Sequence, residues 1–191
     1  GINWITKTDW TSSPDHCDWF GITCDDDGYV AEIILPRNNL TGDIPSNKLA
    51  KFYKLNMLDL SGNSLDGIMA VTSGDASQFF NLRKLTHVDL SQNNLSGEVD
   101  VLFAPALQHA NFSLNNFSSI ISFKKFKQSH QTLVVCDVGH NNIKQDVGDI
   151  MMNVPPNIEQ LILSHNKIYG SLPSPLEHLS NLRRFDISSN T

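Results

Sequence analysis

Charged residues are scarce in this sequence. Only 18% of its 191 residues are charged, and 20 acidic against 14 basic side chains give a formal charge of -6. A nucleic-acid-binding surface needs clustered Lys and Arg, and the largest basic group, Lys124, Lys125 and Lys127, is too small to supply one. The composition therefore argues against a nucleic-acid partner, whereas 40% hydrophobic residues suffice for a folded core.

Long apolar runs are also missing. No stretch of 18 or more apolar residues occurs, so we expect no membrane-spanning segment in this sequence. The chain begins at Gly1 without an initiator Met or a signal peptide, and Thr191 follows directly on a repeat motif. We therefore expect a mature or excised piece of a longer protein, whose other parts could hold a membrane anchor or an effector domain.

Catalytic motifs are absent as well. The sequence contains no G-x-S-x-G, no H-E-x-x-H and no glycine-rich phosphate loop. Asp25-Asp26-Asp27-Gly28 starts like a calcium-binding loop, but Ile34 stands where such a loop needs an acidic ligand. A polar turn is the better interpretation. We predict that this chain is not an enzyme and holds no cofactor and no metal.

Leu, Asn and Ser are in excess, with 21, 19 and 20 residues. An excess of this kind without Lys and Glu indicates a repeat. Seven segments follow L-x-x-L-x-L-x-x-N-x-L, and their Asn residues are 25, 30, 22, 26, 25 and 24 positions apart. These residues are Asn38, Asn63, Asn93, Asn115, Asn141, Asn166 and Asn190. Between regular segments we expect a surface loop or short helix at residues 73–77 and a helix at residues 124–131.

Each repeat position has a structural reason. The alternating x-L-x-L-x core predicts a short strand with one buried face, and successive strands would stack in parallel ~4.8 Å apart. The Asn side chain can satisfy backbone groups where the chain leaves the strand, and neighbouring coils can continue this as a ladder. No coil buries its apolar edge alone, so the coils must stack. The predicted fold class is an α/β-type repeat solenoid with a parallel sheet of short strands.

Two parts of the sequence resemble a known family: the residues before the first repeat and the end of that repeat. The residues before the first repeat resemble the N-terminal cap of plant-type extracellular leucine-rich-repeat proteins, roughly W-x(n)-C-x-W-x-G-V-x-C. They are Trp10, Cys17, Trp19, Gly21 and Cys24. The ending L-x-G-x-I-P at Leu40–Pro45 resembles the plant-specific repeat subclass. The resemblance covers essentially the whole chain and implies a right-handed coil with a concave sheet, in a receptor-like protein or receptor kinase ectodomain.

The three cysteines have different expected roles. From the residues alone, Cys17 and Cys24 could close a small loop, remain reduced, or form half of a zinc site, although no second ligand pair follows. The resemblance implies that they form a disulfide, which is typical of a secreted or luminal protein. Cys136 takes an inward strand position, where other segments have Leu, Val, Ala or Phe. We predict that Cys136 is a small buried hydrophobic side chain.

Four N-x-S/T sequons occur, at Asn39, Asn94, Asn111 and Asn116. They are glycosylation sites only in the secretory pathway, and the repeat itself produces three of them. Asn39, Asn94 and Asn116 follow a ladder Asn and should face solvent near the turn. Asn111 lies within a strand, so we expect it to carry a glycan less often.

The outward strand positions form three columns, which together we call the outer face. The resemblance implies that the outer face is the concave face of the coil. The first column precedes the first inward residue: Glu32, Met57, His87, His109, Val135, Gln160 and Arg184. The middle column lies between the inward residues: Ile34, Asp59, Asp89, Asn111, Asp137, Ile162 and Asp186. The third column precedes the ladder Asn: Arg37, Gly62, Gln92, Leu114, His140, His165 and Ser189. The candidate ligand-binding residues are Met57, Asp59, His87, Asp89, His109, Asn111, Asp137, His140, Ile162 and His165.

The four histidines of the outer face allow three interpretations. They could be ordinary polar surface residues, part of a ligand surface whose affinity depends on pH, or a metal site, for which no third ligand is evident. Asp at the middle position is also common in the family's L-D-L-S phrase, which explains most of that column.

The pattern predicts a cap at residues 1–29 and about seven repeats at residues 30–191, the last one truncated. The predicted function is a non-catalytic recognition module of a secreted or membrane-anchored receptor-like protein. It would bind a protein, peptide or glycan on the concave face, outside the cell or at its surface. The alternatives are a soluble inhibitor of secreted enzymes, similar to polygalacturonase inhibitors, and a structural or adhesive wall protein.

Overall fold

The alternating core of every repeat segment forms a strand. The computed structural model describes residues 3–68, 82–99, 104–120 and 132–191. In chain order the elements are β1 (Ile22–Cys24), β2 (Val30–Ile34), β3 (Thr41–Gly42), α1 (Ser46–Leu49), β4 (Met57–Asp59), β5 (Ser64–Leu65), β6 (His87–Asp89), β7 (Ser96–Val99), β8 (His109–Asn111), β9 (Asn116–Ile120), β10 (Val135–Asp137), α2 (Val147–Met151), β11 (Gln160–Ile162) and β12 (Arg184–Asp186). Short 3-10 helices lie at His16–Asp18 and Glu177–Leu179.

One eight-stranded sheet organises the chain, in the order β1-β2-β4-β6-β8-β10-β11-β12. From β2 to β12 every pairing is parallel and joins one repeat segment to the next. This is the predicted solenoid, and its strands are short because each coil turns away from the sheet after the second inward residue.

The inward side chains make one continuous core. From the first to the sixth segment, the side chains at the first inward position are almost fully buried, as are the large Phe112 and Phe117 of the fourth segment, while Phe185 of the last segment is partly buried. Cys136 is 0% exposed and unpaired, which confirms its predicted role as a small core residue. Burial raises the pKa of the Cys136 thiol, and the neighbouring Asp137 raises it further, so this thiol is protonated and shielded from reagents.

The recurrent Asn residues form the predicted ladder. Asn141 is typical: its Oδ1 accepts the Phe117 N–H at 2.9 Å, and its Nδ2 donates to the carbonyls of Phe112 at 3.1 Å and Val138 at 3.0 Å. Each such Asn therefore joins its own coil to the coil before it. Equivalent bonds occur at Asn63, Asn93, Asn115, Asn166 and Asn190.

Two small sheets lie beyond the ladder. Strands β3 and β5 pair in parallel, and so do β7 and β9. Between these sheets, Gly97 allows the third coil to approach Ile68 of the second, because it has a φ of 87° and an added Cβ would lie 2.7 Å from Cγ2 of Ile68. The periodicity of the sequence did not predict these strands.

The cap closes the N-terminal edge of the sheet. Strand β1 pairs with β2 in the antiparallel direction, and Cys17 and Cys24 form the disulfide that the resemblance implies. The rings of Trp10 and Trp19 lie 4.8 Å apart, and Trp10 packs on the core. The polar turn predicted after Cys24 is confirmed, because Oδ1 of Asp25 accepts the N–H groups of residues 27 and 29.

The loop or helix expected at residues 73–77 and the helix expected at residues 124–131 lie outside the described residues. Within the described ranges, every helix is too short and too polar to cross a membrane.

Candidate functional site

Strand register brings the candidate residues onto one face. His87 is paired with Met57 on one side and with His109 on the other, while Asp89 is paired with Asp59 and Asn111. The same register continues from Asn111 to Asp137 and Ile162. The first and middle columns predicted from the repeat are therefore real rows of neighbouring side chains.

The histidines of the outer face form two stacked pairs. The rings of His87 and His109 lie 4.4 Å apart and 7° from parallel, and those of His140 and His165 lie 4.0 Å apart and 14° from parallel. The first pair is half-buried, and Nδ1 of His87 lies 2.8 Å from Oγ1 of Thr86. The second pair is exposed at the other ends of the strands.

Burial makes one of these imidazoles harder to protonate. The pKa of His109 is lowered, mainly because burial disfavours the charged ring and also because a charge on His87 would repel it. The ring of His109 is therefore better suited to stay neutral in mild acid than that of an isolated surface histidine.

Most acidic side chains of the middle column form hydrogen bonds within the turn that follows their own strand. Oδ1 of Asp59 accepts the N–H of Ser61 at 2.9 Å and its hydroxyl at 2.7 Å. Asp186 repeats this arrangement with Ser188, and the Ser188 bonds are the main reason that the pKa of Asp186 is lowered. These bonds support the interpretation that the recurrent Asp is chiefly a turn-forming residue.

Asn111 and Asp89 are also engaged. Oδ1 of Asn111 accepts the N–H and the hydroxyl of Ser113, while its Nδ2 donates to Oδ2 of Asp89 at 3.0 Å. Oδ1 of Asp89 accepts the N–H of Ser91. A glycan on Asn111 would disturb this bond to Asp89 and would project from the outer face.

Asp137 differs from the rest of its column. Its Oδ1 accepts the Gly139 N–H at 2.8 Å, but Gly139 has no hydroxyl to offer a second bond. Burial raises the pKa of Asp137, against the opposing influences of the Gly139 hydrogen bond, Arg184 and His140. This carboxylate is half-buried and less satisfied than its counterparts.

The third column has an unusual backbone that the repeat pattern did not indicate. All seven of its residues have positive φ, from 49° at Arg37 to 64° at Gly62. This left-handed conformation turns the chain from the strand towards the ladder Asn. It also determines where His140 and His165 project. In the sequence, the one indication of a left-handed backbone in this column was the glycine at position 62, among mostly polar residues.

The other three sequons are exposed, as expected. Asn39, Asn94 and Asn116 lie on the surface just beyond the ladder. Nδ2 of Asn116 donates to Oδ1 of Asn94 at 2.8 Å, and Asn142 continues this outer row. These amides are accessible in a way that Asn111 is not.

One group of possible metal ligands occurs in the parts of the chain that the structure describes. Donor atoms of His16, Cys17 and Cys24 lie within 4.8 Å of one another. The two sulfur atoms are bonded to each other in the disulfide, so this group offers one imidazole and does not fit a metal ion.

Sequence comparisons find similarity to leucine-rich-repeat proteins of plants. The family model described as Leucine Rich Repeat matches residues 84–105 and 157–179. The chain is 31% identical to phytosulfokine receptor 1 of Arabidopsis thaliana over 94% of its own length, and 28% identical to the calmodulin-binding receptor kinase CaMRLK of the same plant over 89%. It spans 17% and 21% of the lengths of these two proteins.

Solved structures agree with the sequence comparisons. The leucine-rich-repeat ectodomain of the Arabidopsis receptor kinase HAESA, in complex with an IDA peptide hormone, is similar with a TM-score of 0.76 and 27% identity, over 92% of this chain and 29% of that one. The plant peptide hormone receptor RGFR1, in complex with RGF2, is similar with a TM-score of 0.62 and 26% identity, over 83% and 28%.

Proposed function

Since the chain belongs to the plant-type leucine-rich-repeat proteins, we propose that it is the ligand-recognition module of a receptor-like protein at the cell surface. It would bind a protein, a peptide or a glycan on its outer face and would not itself catalyse a reaction. We further propose that residues 1–29 act as the cap and residues 30–191 as the repeats.

One observation carries this proposal: the parallel register of the main sheet holds three columns of side chains in fixed rows. A rigid surface of this kind loses little conformational entropy when a partner binds. The peptide-hormone complexes of HAESA and RGFR1 support the same function for this chain.

Histidine variants test the outer face. The protein would be immobilised on beads and incubated with extracellular extract, and the captured partners would be quantified by mass spectrometry. His140→Gln with His165→Gln should lower capture of a specific partner at least tenfold. The matched control, His16→Gln with His178→Gln, changes two histidines in the cap and in the 3-10 helix Glu177–Leu179, and should leave capture unchanged. Equal capture by both variants would argue against recognition through this face.

The extracellular location is proposed from the Cys17–Cys24 disulfide and the receptor relatives. Glycopeptide mass spectrometry on chain secreted from plant cells tests it. We expect glycans at Asn39, Asn94 or Asn116 and much lower occupancy at Asn111, because Asn111 is half-buried within strand β8 whereas the other three are exposed. Secreted chain with Asn111 as its main glycan site would contradict this expectation.

A further inference from the structure

Among the described residues, one carboxylate of the middle column accepts fewer hydrogen bonds than the others: Asp137 accepts one, whereas Asp59 and Asp89 accept two each. In three other coils, the residue two positions later is a serine that gives both its N–H and its hydroxyl: Ser61 to Asp59, Ser113 to Asn111, and Ser188 to Asp186. Gly139 replaces that serine beside Asp137 and gives only its N–H. Among the described residues, no hydrogen bond reaches Oδ2 of Asp137.

The position of Asp137 makes this difference important. Its carboxylate is half-buried, and its register partners are Asn111 and the apolar Ile162. A charged group that is partly removed from water is costly unless a partner compensates it. Arg184 influences the pKa of Asp137 from two strands away, and no ion pair joins these two described residues.

A stacked pair of aromatic rings begins three residues after this carboxylate. His140, three residues after Asp137, is exposed and stacks on His165 with ring centroids 4.0 Å apart. His140 is close enough for its charge to influence the pKa of Asp137, although less than burial does. Planar cations such as guanidinium stack on aromatic rings of this kind, and they also donate two parallel hydrogen bonds to a carboxylate.

The charge of the outer face favours a cation. Its three columns contain five carboxylates, at Glu32, Asp59, Asp89, Asp137 and Asp186. Against these stand two cations, Arg37 and Arg184, in the first and last coils, and no lysine. With neutral imidazoles the face therefore has a net charge of about -3 (five acidic against two basic groups), and its centre contains no fixed cation.

We propose that Asp137, together with the His140–His165 stack, forms a subsite for a guanidinium group, that of an arginine in an extended peptide. The carboxylate accepts the forked N–H donors, and the planar cation lies against the imidazole surface. A lysine ammonium would satisfy the charge but not the stacking, and an anionic group would be repelled. This inference rests on the proposed recognition function and specifies the chemistry of its ligand.

The test uses the full chain and a small probe. N-acetyl-arginine amide is titrated into chain labelled with 15N histidine at pH 7.5, and the ring resonances of His140 and His165 are followed by NMR. We expect saturable shifts at these rings. N-acetyl-citrulline amide, which has the same shape without the charge, should bind at least tenfold more weakly.

Two variants locate the site. Asp137→Asn should weaken binding of the arginine probe at least tenfold, whereas the matched control Asp186→Asn, in the same column but bonded to Ser188, should change it less than twofold. Unperturbed resonances elsewhere show that each variant is folded. Wild-type binding by Asp137→Asn, or equal loss in both variants, would overturn the proposal.

The probes also separate this inference from the proposed function. If N-acetyl-glutamate amide shifts the same rings more than the arginine probe, the cationic ligand class is wrong while the outer face remains a recognition surface. If the arginine probe shifts neither ring, the subsite is refuted. The bead-capture experiment, which does not depend on guanidinium, would still decide the recognition function.

Discussion

The buried Asn ladder and the middle column of the outer face lie a few residues apart in every coil, yet they use their polar atoms differently. In the ladder, Asn141 bonds to backbone groups in its own coil and in the preceding one. In the middle column, Asp59 and Asp186 bond mainly to the serine of their own turn, although Asp186 also bonds to Ser164 of the preceding coil. Asp137 has the N–H bond of its turn but no serine hydroxyl. The comparison separates a position that joins each coil to the preceding one through backbone groups from a position whose bonds differ from coil to coil.

The largest effect is expected from breaking the ladder. Asn141→Leu would remove the acceptor of the buried Phe117 N–H. It would also remove one donor from each of two carbonyls, those of Phe112 and Val138, which still accept from neighbouring ladder residues. An unpaired buried N–H costs about 1–3 kcal/mol, and the lost hydrogen bonds to the two carbonyls add to this cost, so we expect the free energy of unfolding in urea to fall by about 3 kcal/mol. The adjacent exposed Asn142→Leu should cost less than about 0.5 kcal/mol. Similar losses in the two variants would contradict the structural role of the ladder.

A smaller effect is expected from opening the cap. Cys17→Ser with Cys24→Ser removes a cross-link between residues seven positions apart, and a loop of this size contributes about 2 kcal/mol in the chain-entropy model. Urea unfolding should show a loss of that order, because the packing of Trp10 and Trp19 remains. Dithiothreitol should destabilise the wild type by a similar amount and the double variant not at all. If dithiothreitol left the stability of the wild type unchanged, the stabilising contribution of the disulfide would be disproved.

The smallest effect concerns the pH dependence of stability. Because the folded chain has a lowered pKa at His109, the unfolded chain, with a pKa near 6.5, binds more protons between the two values. The contribution of His109 to the free energy of unfolding is therefore fully present above about pH 6.5, and it is lost as the pH falls from there through the lowered pKa of the folded chain. His109→Gln should make the unfolding free energy less sensitive to pH between 7.5 and 5. Parallel curves for the wild type and the variant would refute this assignment.

Much of the fold and half of the site geometry could be predicted from the repeat. Once the spacing of Leu and Asn defines the coil, equivalent positions must become neighbours, so the pairs His87–His109 and His140–His165 followed from arithmetic. The stacked rings confirm them. The buried Cys136 followed in the same way from its inward position.

Other features depend on contacts that one coil makes with another. Next to the side sheets, Gly97 lets Ile68 of the preceding coil approach closely and form a single bridge with Ser96. The spacing of apolar residues does not predict that approach. The spare acceptor of Asp137 arises from a missing hydroxyl at Gly139, which is visible in the sequence but has a consequence only once the turn geometry is known.

The sequence by itself determined the coil, its stacking direction and which side chains share a column, because a repeat with a fixed inward pattern can bury its apolar edge in only one register. The tertiary structure decided the left-handed backbone of the third column, the half-burial of His109 and Asp137, and the hydrogen bonds that distinguish one carboxylate from another. Those properties depend on distances and solvent exclusion between coils, which no single repeat contains.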